Sequence, residues 1–107
     1  MDEMHGLELI SFKIINHVGA ARDKFIEAIA AAKKNDFPLA EKLLKEGEAQ
    51  FIIGHRAHTE LIQQDVRSES VVMSLLLTHA QDQLMSAEAF KIIASELIDV
   101  YKRINNV

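Results

Sequence analysis

The chain has 107 residues, 49% of them hydrophobic and 6% aromatic, with no Trp and no Cys, which sets aside disorder and points to one domain, residues 1–107, around an aliphatic core. Its net charge of −4 argues against nucleic acid and against an anionic membrane surface. Without cysteine there is no disulfide framework, thiolate nucleophile or Cys-type zinc site, and one Pro with four Gly leaves little punctuation for a β-rich fold.

Taken in chain order, the first apolar stripe is Leu7, Ile10, Ile14, Val18, Ala21, Phe25, Ile29, Ala32. Its steps of three and four predict a helix. The stripe ends at Lys33-Lys34-Asn35-Asp36, where the lysines suit a helix C-terminus and Asn35 suits the exit. Asp36 then reads as the N-cap of a second helix with Pro38 in its first turn. The second stripe is Ala40, Leu43, Leu44, Gly47, Phe51, Gly54, His58, Leu61, Ile62. Each glycine weakens a helix by about 1 kcal/mol relative to Ala, so their place on the apolar face predicts close helix–helix approach.

Arg67-Ser68-Glu69-Ser70 offers polar residues and a serine cap, so the third helix is expected to run from about Ser70 to Asn105. Val71, Val72, Met73, Leu75, Leu76 and Leu77 would cover almost its whole circumference. A three-helix subunit cannot surround such a helix, and the excess apolar surface predicts a partner, most simply copies of the same chain. A groove for another protein is the alternative. Every apolar run is cut by charge and none resembles a signal peptide, so a soluble cytoplasmic protein with no direct membrane insertion is expected.

His79 and Asp82 sit inside the apolar run Leu75 to Met85. At about 100° per residue they lie roughly 60° apart, and Leu75, Ile93 and Val100 project in nearly the same direction as Asp82. A carboxylate there loses hydration and needs a partner; an imidazole there can exchange a proton or act as a nucleophile. Taken alone, His79 also reads as a satisfied core histidine. Asp82 also reads as half of a buried ion pair with Arg22 or Arg103, and converging copies of it would repel unless protons or a divalent cation intervened. His55 and His58, at i and i+3, could join His79 and Asp82 in a metal site between facing helices, although a wet polar flank of the second helix is the favoured reading of that pair. His5 and His17 carry no pattern and read as surface residues. The four Met residues read as core filler. No phosphate-binding glycine loop or nucleotide motif is present, and no organic cofactor is expected.

The run Ser74-Leu75-Leu76-Leu77 followed by His79-Ala80-Gln81-Asp82-Gln83-Leu84-Met85 resembles the active helix of the lactose/cellobiose-type enzyme IIA, a component of the bacterial phosphoenolpyruvate-dependent sugar phosphotransferase system. Gly19-Ala20-Ala21-Arg22, Asp36-Phe37, His55 with Leu61-Ile62-Gln63-Gln64, and the stretch from Leu97 to Lys102 extend the likeness over nearly the whole chain. Many members have histidine where this chain has Gln83, and glutamine where it has His58. The resemblance implies an all-α, antiparallel three-helix bundle that forms a homotrimer with the third helices near the axis. It implies that His79 is the catalytic residue, accepting a phosphoryl group from HPr and passing it to a cysteine of the cognate enzyme IIB, so that the protein is a phosphotransferase component that does not act alone. It further implies that Asp82 sits at the trimer axis and can bind a divalent metal such as Mg²⁺ in a structural role. The pathway would serve a cellobiose-, chitobiose- or lactose-type β-disaccharide, with a lean toward cellobiose. The apolar rim of Leu76, Leu77, Met85 and Phe90 could dock both partners. Two competing readings are a metal-binding helical bundle using His55, His58, His79 and Asp82, and a structural coiled-coil adaptor whose polar seam residues set its oligomeric state.

Overall fold

Asn35 and Ser74 mark the places where the chain stops one helix and starts another. The computed structural model describes residues 3–67 and 70–106, with side chains from residue 6 onward, and contains no strand among them. Three helices result: α1 (Glu3–Lys33), α2 (Phe37–Val66) and α3 (Leu75–Ile104). At the end of α1, Asn35 takes the left-handed conformation, with φ 63°. The Asn35 amide donates to the Ala32 carbonyl and the Asp36 amide to the Ala31 carbonyl, each at 3.0 Å. This is the Schellman arrangement, which satisfies carbonyls that the helix leaves without partners. One residue later Asp36 caps α2, its Oδ1 accepting from the Leu39 amide at 3.2 Å, and Pro38 occupies the first turn. The turn is therefore as the sequence predicts.

The start of α3 differs from the expectation. The residues from Ser70 to Ser74 are not helical, and α3 begins at Leu75. Ser74 is the cap: its backbone is extended, with φ −131° and ψ 165°, and its Oγ accepts from the Leu77 amide at 3.0 Å. The β-branched Val71 and Val72 are mediocre helix formers, and the connection needs extended chain to cross between antiparallel helices. Only Leu75, Leu76 and Leu77 of the apolar run are helical, so no continuous apolar circumference exists there. Ser68 and Glu69 lie outside the described residues.

Packing fixes the helix directions. A Cβ built on Gly47 would lie 2.5 Å from Phe25 Cε1 and 3.2 Å from the Ala21 carbonyl oxygen, and one on Gly54 would lie 2.6 Å from Val18 Cγ1. Later residues of α2 meet earlier residues of α1, so the two helices are antiparallel. Gln81 on α3 meets His58, and Lys102 meets Glu41 at 2.9 Å, so α3 runs antiparallel to α2 and parallel to α1. The bundle is a rod of 55 × 21 × 19 Å.

The core along the rod holds Ile14, Val18, Phe25, Leu44, Phe51, Leu61, Leu77, Leu84 and Ile98, with small residues Ala21, Ala28, Ala40, Ala80, Ala87 and Ala94 between them. The stripes foreseen for α1 and α2 largely hold, but Ile10 and Ile29 are only partly buried and Ile62 is exposed. The methionine expectation fails for the residues described: Met73 and Met85 are exposed. The side chains of Met1, Met4 and His5 lie outside the described residues. Leu77, foreseen on a docking rim, is 1% exposed and belongs to the core.

The glycine contacts lead to a directional prediction. Helix propensity alone would make Gly47→Ala stabilising by about 1 kcal/mol. The new methyl group instead meets the fully buried Phe25 ring, and overpacking of this kind costs about 1–3 kcal/mol. We expect Gly47→Ala to melt several degrees below the wild type. A higher melting temperature would show that α2 can withdraw from α1 without penalty.

Candidate functional site

The candidate site lies near the start of α3. His79 is the fifth residue of the helix and Asp82 the eighth; both side chains are exposed. The face they share is apolar, as the helical arithmetic requires, yet it is uncovered within the subunit: Leu75 is 88% exposed, Ile93 48% and Val100 45%. One chain alone therefore does not strip water from Asp82, contrary to the expectation of a desolvated carboxylate. Nor does Asp82 pair with either arginine considered for it. Arg103 Nε lies 3.3 Å from Asp99 Oδ2, and the Arg22 guanidinium sits over the Phe90 ring at 5.5 Å from its centroid.

The four-residue metal centre does not assemble. Among the described residues no three His, Cys, Asp or Glu side chains converge so as to hold a metal ion within the subunit. His58 faces the seam between α2 and α3 and His55, three residues before it on α2, is exposed, whereas His79 and Asp82 lie on the outer side of α3. The His55 ring stacks at a tilt on Phe51, with centroids 5.8 Å apart. His58 is half-buried, and its Nε2 lies 3.1 Å from the Gln81 amide nitrogen. An amide NH₂ can only donate, so His58 accepts through Nε2 and its neutral ring carries the proton on Nδ1. His17, expected at the surface, is half-buried with Nδ1 2.8 Å from Gln50 Oε1.

Sequence reasoning missed the partnership of Gln81. Its position, almost opposite His79 on the helix, could have signalled that one side of the motif packs inward while the other faces out. Beside this pair an open pocket of about 200 Å³ is lined by His58, Asp65, Val71, Met73 and Leu77. His79 is not in its wall. The non-helical segment before α3 supplies part of that wall, which is why the pocket could not be read from helical periodicity.

Burial lowers the pKa of His58 below its ordinary value, and the positive charge available to His55 lowers it further. The folded state thus binds the proton less well than the unfolded chain does. Stability associated with neutral His58 is complete above the unfolded value of 6.5 and falls as pH drops through the lower folded value. The melting temperature of the wild type should fall more steeply between pH 7 and 5 than that of His58→Gln, since the shared contribution of the other histidines cancels in the difference. Parallel curves would remove His58 from the acid response.

Comparison with known proteins bears on what this surface is for. Residues 9–102 match the family model described as the lactose/cellobiose-specific IIA subunit of the phosphotransferase system. The chain is 43% identical over 98 residues to the lichenan-specific phosphotransferase enzyme IIA component of Bacillus subtilis, covering 92% of this chain and 89% of that one. Over 97 residues it is 35% identical to the lactose-specific EIIA component of Staphylococcus epidermidis, covering 91% and 93%. Among solved structures, the cellobiose-specific enzyme IIA of Bacillus anthracis superposes with a TM-score of 0.91 at 36% identity, over 99% of this chain and 94% of that one. With the fold, the length of the match and the relatives in agreement, the chain belongs to the lactose/cellobiose-specific IIA family of the sugar phosphotransferase system.

Proposed function

We propose that this chain is a phosphohistidine relay in sugar uptake, with His79 as the group that is phosphorylated. The observation that carries the reading is the exposed imidazole of His79 within the His-x-x-Asp run of a family-length match. In the first step an unprotonated imidazole nitrogen of His79 forms a P–N bond as the P–N bond to the donor histidine of HPr breaks. In the second, a cysteine thiolate of the cognate enzyme IIB forms a P–S bond and the His79 nitrogen leaves. Such a transfer needs positioning and charge stabilisation more than elaborate covalent chemistry. An exposed histidine on a rigid helix supplies the nucleophile, and the docked partner can supply the rest. Leu76 and Phe90, half-buried, and Met85, 69% exposed, offer apolar contact to either partner.

The sugars in the relatives' names, lichenan, lactose and cellobiose, support a pathway for a cellobiose-, chitobiose- or lactose-type β-disaccharide. We place the protein in the cytoplasm, where such a relay would meet its partners. Among the described residues no helix is long and apolar enough to cross a membrane.

The reading includes a homotrimer with α3 near the three-fold axis. Its support is the uncovered face of Leu75, Ile93, Val100 and Ile104, which an isolated subunit would leave in water. Asp82 lies in the middle of that face. One chain offers a single carboxylate, and three copies would offer an all-oxygen donor set, which suits a hard divalent cation such as Mg²⁺. The cation's part would be structural, neutralising carboxylates that would otherwise repel, while His79 alone takes the phosphoryl group.

Two experiments test this. Incubated with phosphoenolpyruvate, enzyme I and HPr, the wild type should gain the mass of one phosphoryl group as an acid-labile, base-stable adduct. His79→Ala should fold and assemble but gain none; phosphorylation of that variant would disprove the assignment. Asp82→Leu replaces a charge cluster by apolar side chains, an exchange that is often neutral or stabilising by up to ~4 kcal/mol. It should keep the trimer, melt no lower than wild type and lose any effect of chelator on melting. Its phosphorylation at His79 should change little. A variant that dissociates under all conditions would make Asp82 a residue that holds the assembly together.

A further inference from the structure

We infer that Arg22 is an anchor between subunits, where it takes the carboxylate of Glu96 from α3 of a second copy; this rests on the homotrimer proposed above. Arg22 is half-buried, reaches from α1 onto α3 and lays its guanidinium over Phe90. Its Nε is buried without a hydrogen-bond partner, and among the described residues no carboxylate pairs with it. Two other cations at the helix seams are paired with carboxylates within the subunit: Lys24 Nζ lies 3.2 Å from Glu46 Oε2, and Lys102 Nζ 2.9 Å from Glu41 Oε1.

A guanidinium stays charged at any working pH, so partial burial with an unmet N–H leaves a cation that lacks an anion. Around it α1 leaves Ile26 43% exposed and α3 leaves Ile93 uncovered. An arginine bordered by wet apolar surface is the composition of an interface rather than of a finished surface.

The acid follows from the helical positions on α3. Measured from Asp82, Phe90 lies about 80° to one side, the side that meets α1, whereas Glu96 and Ile92 lie about 40° and 80° to the other. A cyclic assembly brings one flank of each copy against the opposite flank of the next. Copies around a common axis sit at the same height, and Glu96 is six residues, about 9 Å, beyond Phe90 along the helix. Arginine and glutamate side chains together span that distance. Glu96 is exposed and has no ion pair among the described residues, so nothing in its own subunit competes for the carboxylate.

Sedimentation across a dilution series reads the outcome. Glu96→Arg changes an exposed position and should leave the subunit fold intact by circular dichroism. It should raise the concentration at which trimers dissociate by about tenfold or more, since a charge-assisted pair is replaced by like charges. Arg22→Glu should do the same, and the double exchange should restore most of the loss. Arg22→Met, which keeps an apolar stem against Phe90, should weaken assembly without reversing charge. Wild-type trimers whose dissociation is unchanged by Glu96→Arg, or a double exchange that recovers nothing, would overturn the pairing and leave the trimer standing. A wild type that is monomeric at micromolar concentration would remove the trimer and this pairing together.

Discussion

The architecture depends on how closely α1 and α2 approach. Gly47 and Gly54 leave room for the Phe25 ring and the Val18 side chain where a methyl group would collide. That contact draws two long helices together along much of their length, and α3 then lies along both, more extensively against α1 than against α2. With Leu77, Ala80, Leu84, Ala87, Ala94 and Ile98 turned inward, the opposite side of α3 must face out. His79 and Asp82 are on that side because the inward positions are already assigned.

The same constraint divides the polar residues of the motif. Gln81 points to the seam with α2 and meets His58, while His79 and Asp82 project away from it. One short run therefore contributes both to the internal tie between two helices and to an open, solvent-exposed surface. If His79 is the phosphoryl relay proposed above, its exposure leaves it open to partner proteins, and the helix that carries it gains rigidity from its buried side. The uncovered leucine, isoleucine and valine residues beside Asp82 represent apolar surface that folding alone leaves in water.

The two caps show why the chain reverses where it does. Asn35 closes α1 through its left-handed backbone, and Asp36 immediately opens α2. Between α2 and α3 the chain is longer, and the non-helical stretch ending at Ser74 packs Val71 against the core. This segment forms part of the pocket beside His58, so the end of the bundle nearest His79 is shaped by irregular backbone as well as by helices.

Much of this was legible in the residues themselves. Apolar periodicity gives three helices, Asn35-Asp36-Phe37-Pro38 gives the first turn, and glycines on an apolar face give close approach, because each is a local rule of backbone geometry. The family likeness is likewise carried by short local runs, the one around His79 and Asp82 among them. Other features depended on tertiary structure. Val71 and Met73 are indistinguishable by hydrophobicity from the leucines that follow, and only the path between two packed helices decides that α3 starts after Ser74. Asp82 lies on an apolar stripe, yet whether water reaches it depends on what covers the stripe, and its own subunit does not. His55 and His58 share histidine chemistry with His79, but that His58 meets α3 while the other two stay exposed is set by which sides of α2 and α3 turn inward. Sequence spacing fixes angles around one helix; the meeting of side chains on different helices is fixed only when the helices pack.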